Sequence, residues 1–395
     1  MKIPVSFCGA ILLGTLLCSP AFADDCAMPH AAALMLEAQR GLGALPVGDG
    51  MQTDVPAKGS ALISAFKSRM NDYVSASMRC HPGNLNPTVP EKALDGFAGV
   101  KLPGNQFVNP GKQNDDTHYG DALKFEVRAP QPGLITVVAR FGIECGGDAM
   151  LMIFERRGNA WVETLRTTGA PYETVAGGWG TFGYGISPRD RDGHWFVVTK
   201  NIAPWCSSTW SEIRYAVLRP GADATHPRTL LSRADSIWWG ADRYGDLKVD
   251  AEGFDLRWRA ESMDDGVHNR EWIAHYAVDG DRVHRIAPIA ETPRDFADEW
   301  LRLDWREAKE WTEVKAYGLK SLHDRLQKRR FLDYVAIRHC KDSDHTEIEV
   351  EPTDSDDRHI FFDVAGKIVP LMRDVSLSAD PRCKGPNLFD MNKAR

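Results

Sequence analysis

A sixty-residue periodicity limits this chain more than any other feature of its sequence. Three apolar runs start at Leu134, His194 and Phe254 and read LITVVARF, HWFVVTKN and FDLRWRAE. Each leads through a loop to a second run: AMLMIFER, EIRYAVLRP and EWIAHYAVD. A turn follows at Gly158-Asn159, Pro220-Gly221 or Asp279-Gly280, then a shorter run: AWVETLRT, RTLLSR or VHRIAPI. Asp-Gly between such runs is a type I′ hairpin signature. A repeat of this length implies one supersecondary unit per period.

An aromatic-glycine step recurs in the same register. Trp179-Gly180 and Tyr184-Gly185 match Trp239-Gly240 and Tyr244-Gly245, and Tyr119-Gly120 is an earlier copy of the second step. Each Tyr-Gly is expected to open a strand ahead of the first run: ALKFEV, the segment from Ile186, and LKVDA. The unit is then a four-stranded antiparallel meander. It resembles the blade of a β-propeller, which packs face to face on its neighbours. The resemblance is to an architecture, over residues 115–290, and the consensus residues of WD40 and kelch repeats are absent.

Outside that region the pattern changes. Residues 24–90 read as a helical segment. One helix covers Ala31 to Arg40, with Gly41 as its stop. Ser60 caps a second helix, whose apolar positions Leu62, Ile63, Phe66, Met70, Tyr73, Val74 and Met78 follow a 3.6-residue period. Residues 91–114 read as a linker rich in Pro, Gly and Asn. In residues 291–395, Thr292-Pro293-Arg294-Asp295 starts a helix with the apolar stripe Phe296, Trp300, Leu303, Ala308, Trp311 and Val314, broken near Gly318. Strands resume at Asp333–Arg338, Glu347–Glu351, His359–Val364 and Ile368–Met372, enough for a fourth meander. The expected fold is mainly β: a β-propeller-like array with an N-terminal helical hairpin and a C-terminal helix plus β-meander.

Residues 1–23 read as a signal peptide, with Lys2 before the short apolar run Ile11 to Leu17 and Ala21-Phe22-Ala23 at the cleavage site. Export to a periplasm or beyond is the expected localisation. Nothing later reaches the ~18 consecutive apolar residues of a membrane span. Six cysteines follow the signal, and an even number in an oxidising compartment points to disulfides. Cys26 and Cys80 sit at the ends that a helical hairpin brings together. Cys145 and Cys206 occupy matching loops of adjacent units, and Cys340 with Cys383 remain.

Chemistry is less legible. Lys plus Arg number 48 against 55 Asp plus Glu, a net charge of −7, which carries no nucleic-acid footprint. There is no GxSxG, HExxH, P-loop or strand-linked GxGxxG, so neither a cofactor nor a metal is indicated. His268 and His275 flank one strand without forming a ligand set. Glu347, Glu349 and Glu351 alternate as a solvated acidic strand face that discourages edge pairing. The inter-unit loops GGWGTFGYG (177–185) and IWWGADRYG (237–245) offer flat aromatic surfaces and close backbone approach. Exact repetition assigns Trp179, Trp239, Tyr184 and Tyr244 to packing. Trp238, Phe182, Asp242 and Arg243 do not repeat in kind, and with Tyr244 in the same loop they are the candidate ligand-binding residues. The sequence therefore reads as an exported, non-enzymatic binding or interaction protein whose partner is a glycan, a peptide or an envelope protein. The alternative is a hydrolase of an envelope or extracellular polymer with carboxylates on that face.

Overall fold

The computed structural model describes residues 27–48, 53–81, 86–88, 91–92, 94 and 118–390, apart from 205, 207, 239–244, 265, 268–269, 330–331, 342–343, 354–358 and 367–368. The expected signal peptide, Cys26 and most of the expected linker lie outside the described residues. Among the described residues no helix is long and apolar enough to cross a membrane.

Four four-stranded antiparallel sheets follow one another along the chain. The first holds β1 (Lys124–Gln131), β2 (Leu134–Ile143), β3 (Gly146–Arg157) and β4 (Ala160–Thr168). The second holds β5 (Thr181–Ile186), β6 (Val197–Ile202), β7 (Trp210–Arg219) and β8 (Arg228–Trp238). The third holds β9 (Asp246–Val249), β10 (Gly253–Ala260), β11 (Arg270–Asp279) and β12 (Arg282–Arg285). The last holds β13 (Leu332–His339), β14 (His345–Pro352), β15 (Ile360–Ala365) and β16 (Leu371–Ser376). Every sheet keeps sequential strand order, so each is a meander, as the repeat requires.

The sixty-residue register is looser than the sequence implies. Leu134 opens β2 and Phe254 is the second residue of β10, but His194 stops three residues short of β6. The cause is a longer β5–β6 turn, closed by Asp190 N–H on the His194 carbonyl at 2.8 Å. Tyr184-Gly185 likewise lies inside β5, whereas Tyr119-Gly120 and Gly245 precede their strands. Gly120 and Gly245 adopt φ of +85° and +80°. The β11–β12 turn is Gly280-Asp281, one residue later than expected, because Asp279 pairs with Arg282.

Packing turns these sheets into a stack with covered ends. β2 is buried on both faces, which alternation explains. Leu134 and Val138 pack with Phe182, Trp195 and Val197 of the second sheet. Ile135, Val137, Ala139 and Phe141 pack on α1 (Met28–Gly43) and α2 (Gly59–Cys80). With its two faces taken by helices and by the second sheet, the first sheet has none left for the fourth. The array is propeller-like in its run of four-stranded antiparallel meanders. The second and third sheets meet through Ile213, Tyr215 and Val217 against Leu256, Trp258 and Tyr276.

Two helix starts differ from expectation. α2 begins at Gly59 with Lys58 in the left-handed region and no side-chain cap, so Ser60 lies inside the helix. Only glycine fits at position 59, where a Cβ would stand 2.4 Å from Val55 Cγ1. α3 (Pro293–Arg302) is capped as expected, Thr292 Oγ1 accepting from Asp295 N–H at 3.1 Å. It then stops, because Asp304 caps a separate turn, α4 (Trp305–Ala308). The stripe assigned to one helix therefore spans several short pieces, and Val314 at its end is 76% exposed.

α3 is buried on two sides. Phe296, Ala297, Trp300 and Leu301 pack against Ile348, Val350 and Phe362 of the fourth sheet. Its acids face the third sheet. The fourth sheet also corrects the acidic-face expectation. β14 is a central strand and Glu347 is buried, accepting from Asp380 N–H at 2.6 Å. Glu349 is held by Arg338 at 2.6 Å and His359 at 2.5 Å. Of the three glutamates only Glu351 is exposed. The disulfides Cys145–Cys206 and Cys340–Cys383 are both present. Cys80 is disulfide-bonded too, while the expected Cys26–Cys80 pair involves a residue outside the described set.

Candidate functional site

The expected loop residues divide sharply. Asp242, Arg243 and Tyr244 lie outside the described residues, as does Trp239. Phe182 is 5% exposed. It stacks between Trp179 and Tyr184, with ring centroids 5.0 and 6.3 Å away. The Arg140 guanidinium covers the same ring at 5.8 Å and donates to the Phe182 carbonyl at 3.0 Å. Tyr184 joins Thr136 of the first sheet through a 2.7 Å hydroxyl contact. The first aromatic loop is therefore spent on joining two sheets, and Phe182 has no face left for a ligand.

Trp238 is placed differently. It ends β8 directly opposite Trp210 on β7, and both are half-buried. Residues opposite each other across an antiparallel pair share a face. By the two-residue alternation that face also carries Glu212, Arg214, Ser232 and Ala234. Arg214, Ser232 and Ala234 are exposed, and Glu212 pairs with Arg214. The other face of the same strands, with Ile213, Tyr215 and Ile237, is buried on the third sheet. At the Trp210–Trp238 end β7 and β8 thus present a partly exposed face with two indoles and an ion pair beside them, while Ala216 farther along the same face packs toward the first sheet. Flat aromatic faces with polar edges suit the ring faces of sugars and the planar groups of peptides.

Sequence reasoning missed a charged network on the opposite side of β8. Asp298 and Glu299 of α3 are fully buried. Arg270, also fully buried, lies 3.2 Å from Asp298, pairs with Glu299 and stacks on Trp272 at 4.6 Å. Arg285 pairs with Glu299, while Ser262 Oγ and Met263 N–H each donate to Asp298 at 2.6 Å. Asp235 sits at the rim, 4.0 Å from Arg302. Burial, with help from the Glu299 charge, pushes its carboxyl up to about 6 against the opposing pull of the Ser236 N–H, Arg302 and Arg270. Such carboxylates occur at acid–base sites and in structural ion-pair networks alike. In sequence Asp298 and Glu299 lie outside the apolar stripe of this helix, which gives no sign of their burial.

Two further clusters were not anticipated. Asp190, Asp192 and His194 of the β5–β6 turn bring ligand atoms within 4.8 Å of one another, all exposed. Asp190 Oδ1 accepts the N–H groups of Asp192 at 2.9 Å and His194 at 2.8 Å, which explains the cluster as turn chemistry. The DxDxH spacing was the available clue. His268 lies outside the described residues, and His275 lies within β11 rather than beside it. The second cluster is internal. Lys67 of α2 is paired with Asp148 at 2.6 Å, and the Tyr172 hydroxyl donates to Asp148 at 2.7 Å. Beside it a cavity of about 750 Å³ opens between the start of α2 and residues 171–174.

No protein-family model matches the chain, and no curated protein matches it either.

Proposed function

We propose that this is an exported binding protein that takes a glycan or peptide on the partly exposed β7–β8 face and the loop that follows. The observation behind this reading is the cross-strand Trp210–Trp238 pair, half-buried at the edge of a partly exposed polar face. Indoles fixed on paired strands supply a large contact area at little entropic cost. The test is calorimetry of the mature chain against envelope glycans and peptides, run also on Trp238→Ala. A several-fold weaker affinity in a chain that still folds is the expected result, since a stacked aromatic contributes on the order of 1 kcal/mol. Equal binding by both proteins would place the ligand elsewhere.

The hydrolase reading draws support from Asp235 alone, whose raised carboxyl suits a proton donor near neutral pH. On that reading Asp235→Asn removes turnover and spares affinity.

A further inference from the structure

We propose that Lys67 and Asp148 condense to an isopeptide bond, a self-catalysed modification that ties α2 to β3, with the Tyr172 hydroxyl as proton relay. This bond is independent of the β7–β8 binding face.

The reacting groups already touch. Lys67 Nζ lies 2.6 Å from Asp148 Oδ2, and the two side chains are 7% and 0% exposed. The carbon that the amine attacks, Asp148 Cγ, is one bond from that oxygen. α2 is pinned on the first sheet beside them, the Phe66 ring meeting Phe141 edge-on with centroids 5.1 Å apart. Groups held in contact in this way react with an effective molarity of about 10⁵–10⁸ M. Burial also excludes the water that would drive the amide back to acid and amine.

The two oxygens of the carboxyl have different partners, as an acyl step requires. Oδ1 accepts two backbone N–H groups, from Ala149 at 2.7 Å and Trp179 at 3.0 Å. They form an oxyanion hole for the oxygen that gains charge when Cγ becomes tetrahedral. Oδ2, the oxygen beside Lys67, accepts the Tyr172 hydroxyl at 2.7 Å and is the one that leaves. Burial, reinforced by the Asp148 charge, pushes the Tyr172 hydroxyl up, so its proton stays on until it is needed. Burial is also the largest influence on Lys67 and pulls it below its ordinary value despite Asp148, toward the neutral, nucleophilic amine.

The step balances without a co-reactant. Within the pair one proton passes from the Lys67 ammonium to Asp148 Oδ2. The freed nitrogen lone pair bonds to Cγ, and the carbonyl electron pair moves to Oδ1. A second proton crosses from Nζ to Oδ2 through the Tyr172 hydroxyl, which gives one proton and takes up another. The electron pair returns from Oδ1, the Cγ–Oδ2 bond breaks, and Oδ2 departs as water. The amide keeps the last Nζ hydrogen, and Tyr172 ends as it began.

Mass spectrometry of the intact chain, denatured and reduced, tests this. The parent should be one water lighter than its sequence, and its digest should contain a branched peptide joining Lys67 to Asp148. Lys67→Arg keeps a cation beside Asp148 but offers no nucleophilic amine, so it should carry the full mass. Tyr172→Phe removes the relay and should accumulate unlinked chain. Circular dichroism checks the fold of both variants, and where one does not fold the parent's digest decides. A parent at full mass, with Lys67 and Asp148 on separate linear peptides, overturns the proposal. So does a chain one water lighter whose loss maps to an aspartyl succinimide. A folded Tyr172→Phe linked as fast as the parent overturns the relay.

Discussion

Arg140 and Lys200, sixty residues apart, make the same contact one unit on. Each lies on the second strand of its sheet and donates to a backbone carbonyl of the next unit, Arg140 to Phe182 and Lys200 to Gly245. The periodicity thus repeats a polar stitch as well as an apolar pattern. Glycine makes room for the second stitch, since a Cβ at Gly183 would stand 2.8 Å from Lys200 Cε. A hydrogen bond from a charged donor is worth about 1.5–3 kcal/mol. Lys200→Met keeps the stem and loses the donor, so urea denaturation should show a loss in that range. An unchanged midpoint would mean that the stitch contributes nothing to stability.

The Cys145–Cys206 disulfide spans 61 residues and ties equivalent loops of neighbouring sheets. Closing a loop of that size restricts the unfolded chain by about 4 kcal/mol on the entropic account. Replacing both cysteines with serine should therefore cost on the order of 2–5 kcal/mol. Peptide mapping without reduction should recover Cys145 with Cys206 and Cys340 with Cys383. Any other partner for Cys145 contradicts the stacking of the first two sheets.

The sheets were legible because the apolar runs of one unit could be checked against those of the next. The pairing of Cys145 with Cys206 followed from the same comparison. The helix–sheet contacts were not, because nothing repeats them. Asp298 and Glu299 were hidden among charged residues at helical spacing, and only their partners Arg270 and Arg285, from a different sheet, mark them as buried. Phe182 misled for a related reason. Its failure to repeat suggested a ligand contact, but it lies inside β5, stacked between Trp179 and Tyr184. Lys67 looked like a polar residue on an amphipathic helix, because sequence does not tell which charged side chain a second element will cover.

Asp235 offers a prediction whose sign can be worked out. Its carboxyl ionises near pH 6 in the folded protein against an ordinary value of 3.8, with burial the leading cause. The folded state therefore holds this proton more tightly than the unfolded chain does. Stability from this group is present below about pH 4 and falls as pH rises toward 6. The two values differ by about two units, so the ionised carboxylate costs on the order of 3 kcal/mol above that window. Asparagine at this position stays neutral at every pH. Asp235→Asn should melt close to the parent at pH 4 and well above it at pH 8. If the variant is instead the less stable at pH 8, attraction to Arg302 outweighs burial. Its carboxyl then ionises no higher than that of an ordinary aspartate, and it loses its claim to be the proton donor of a hydrolase.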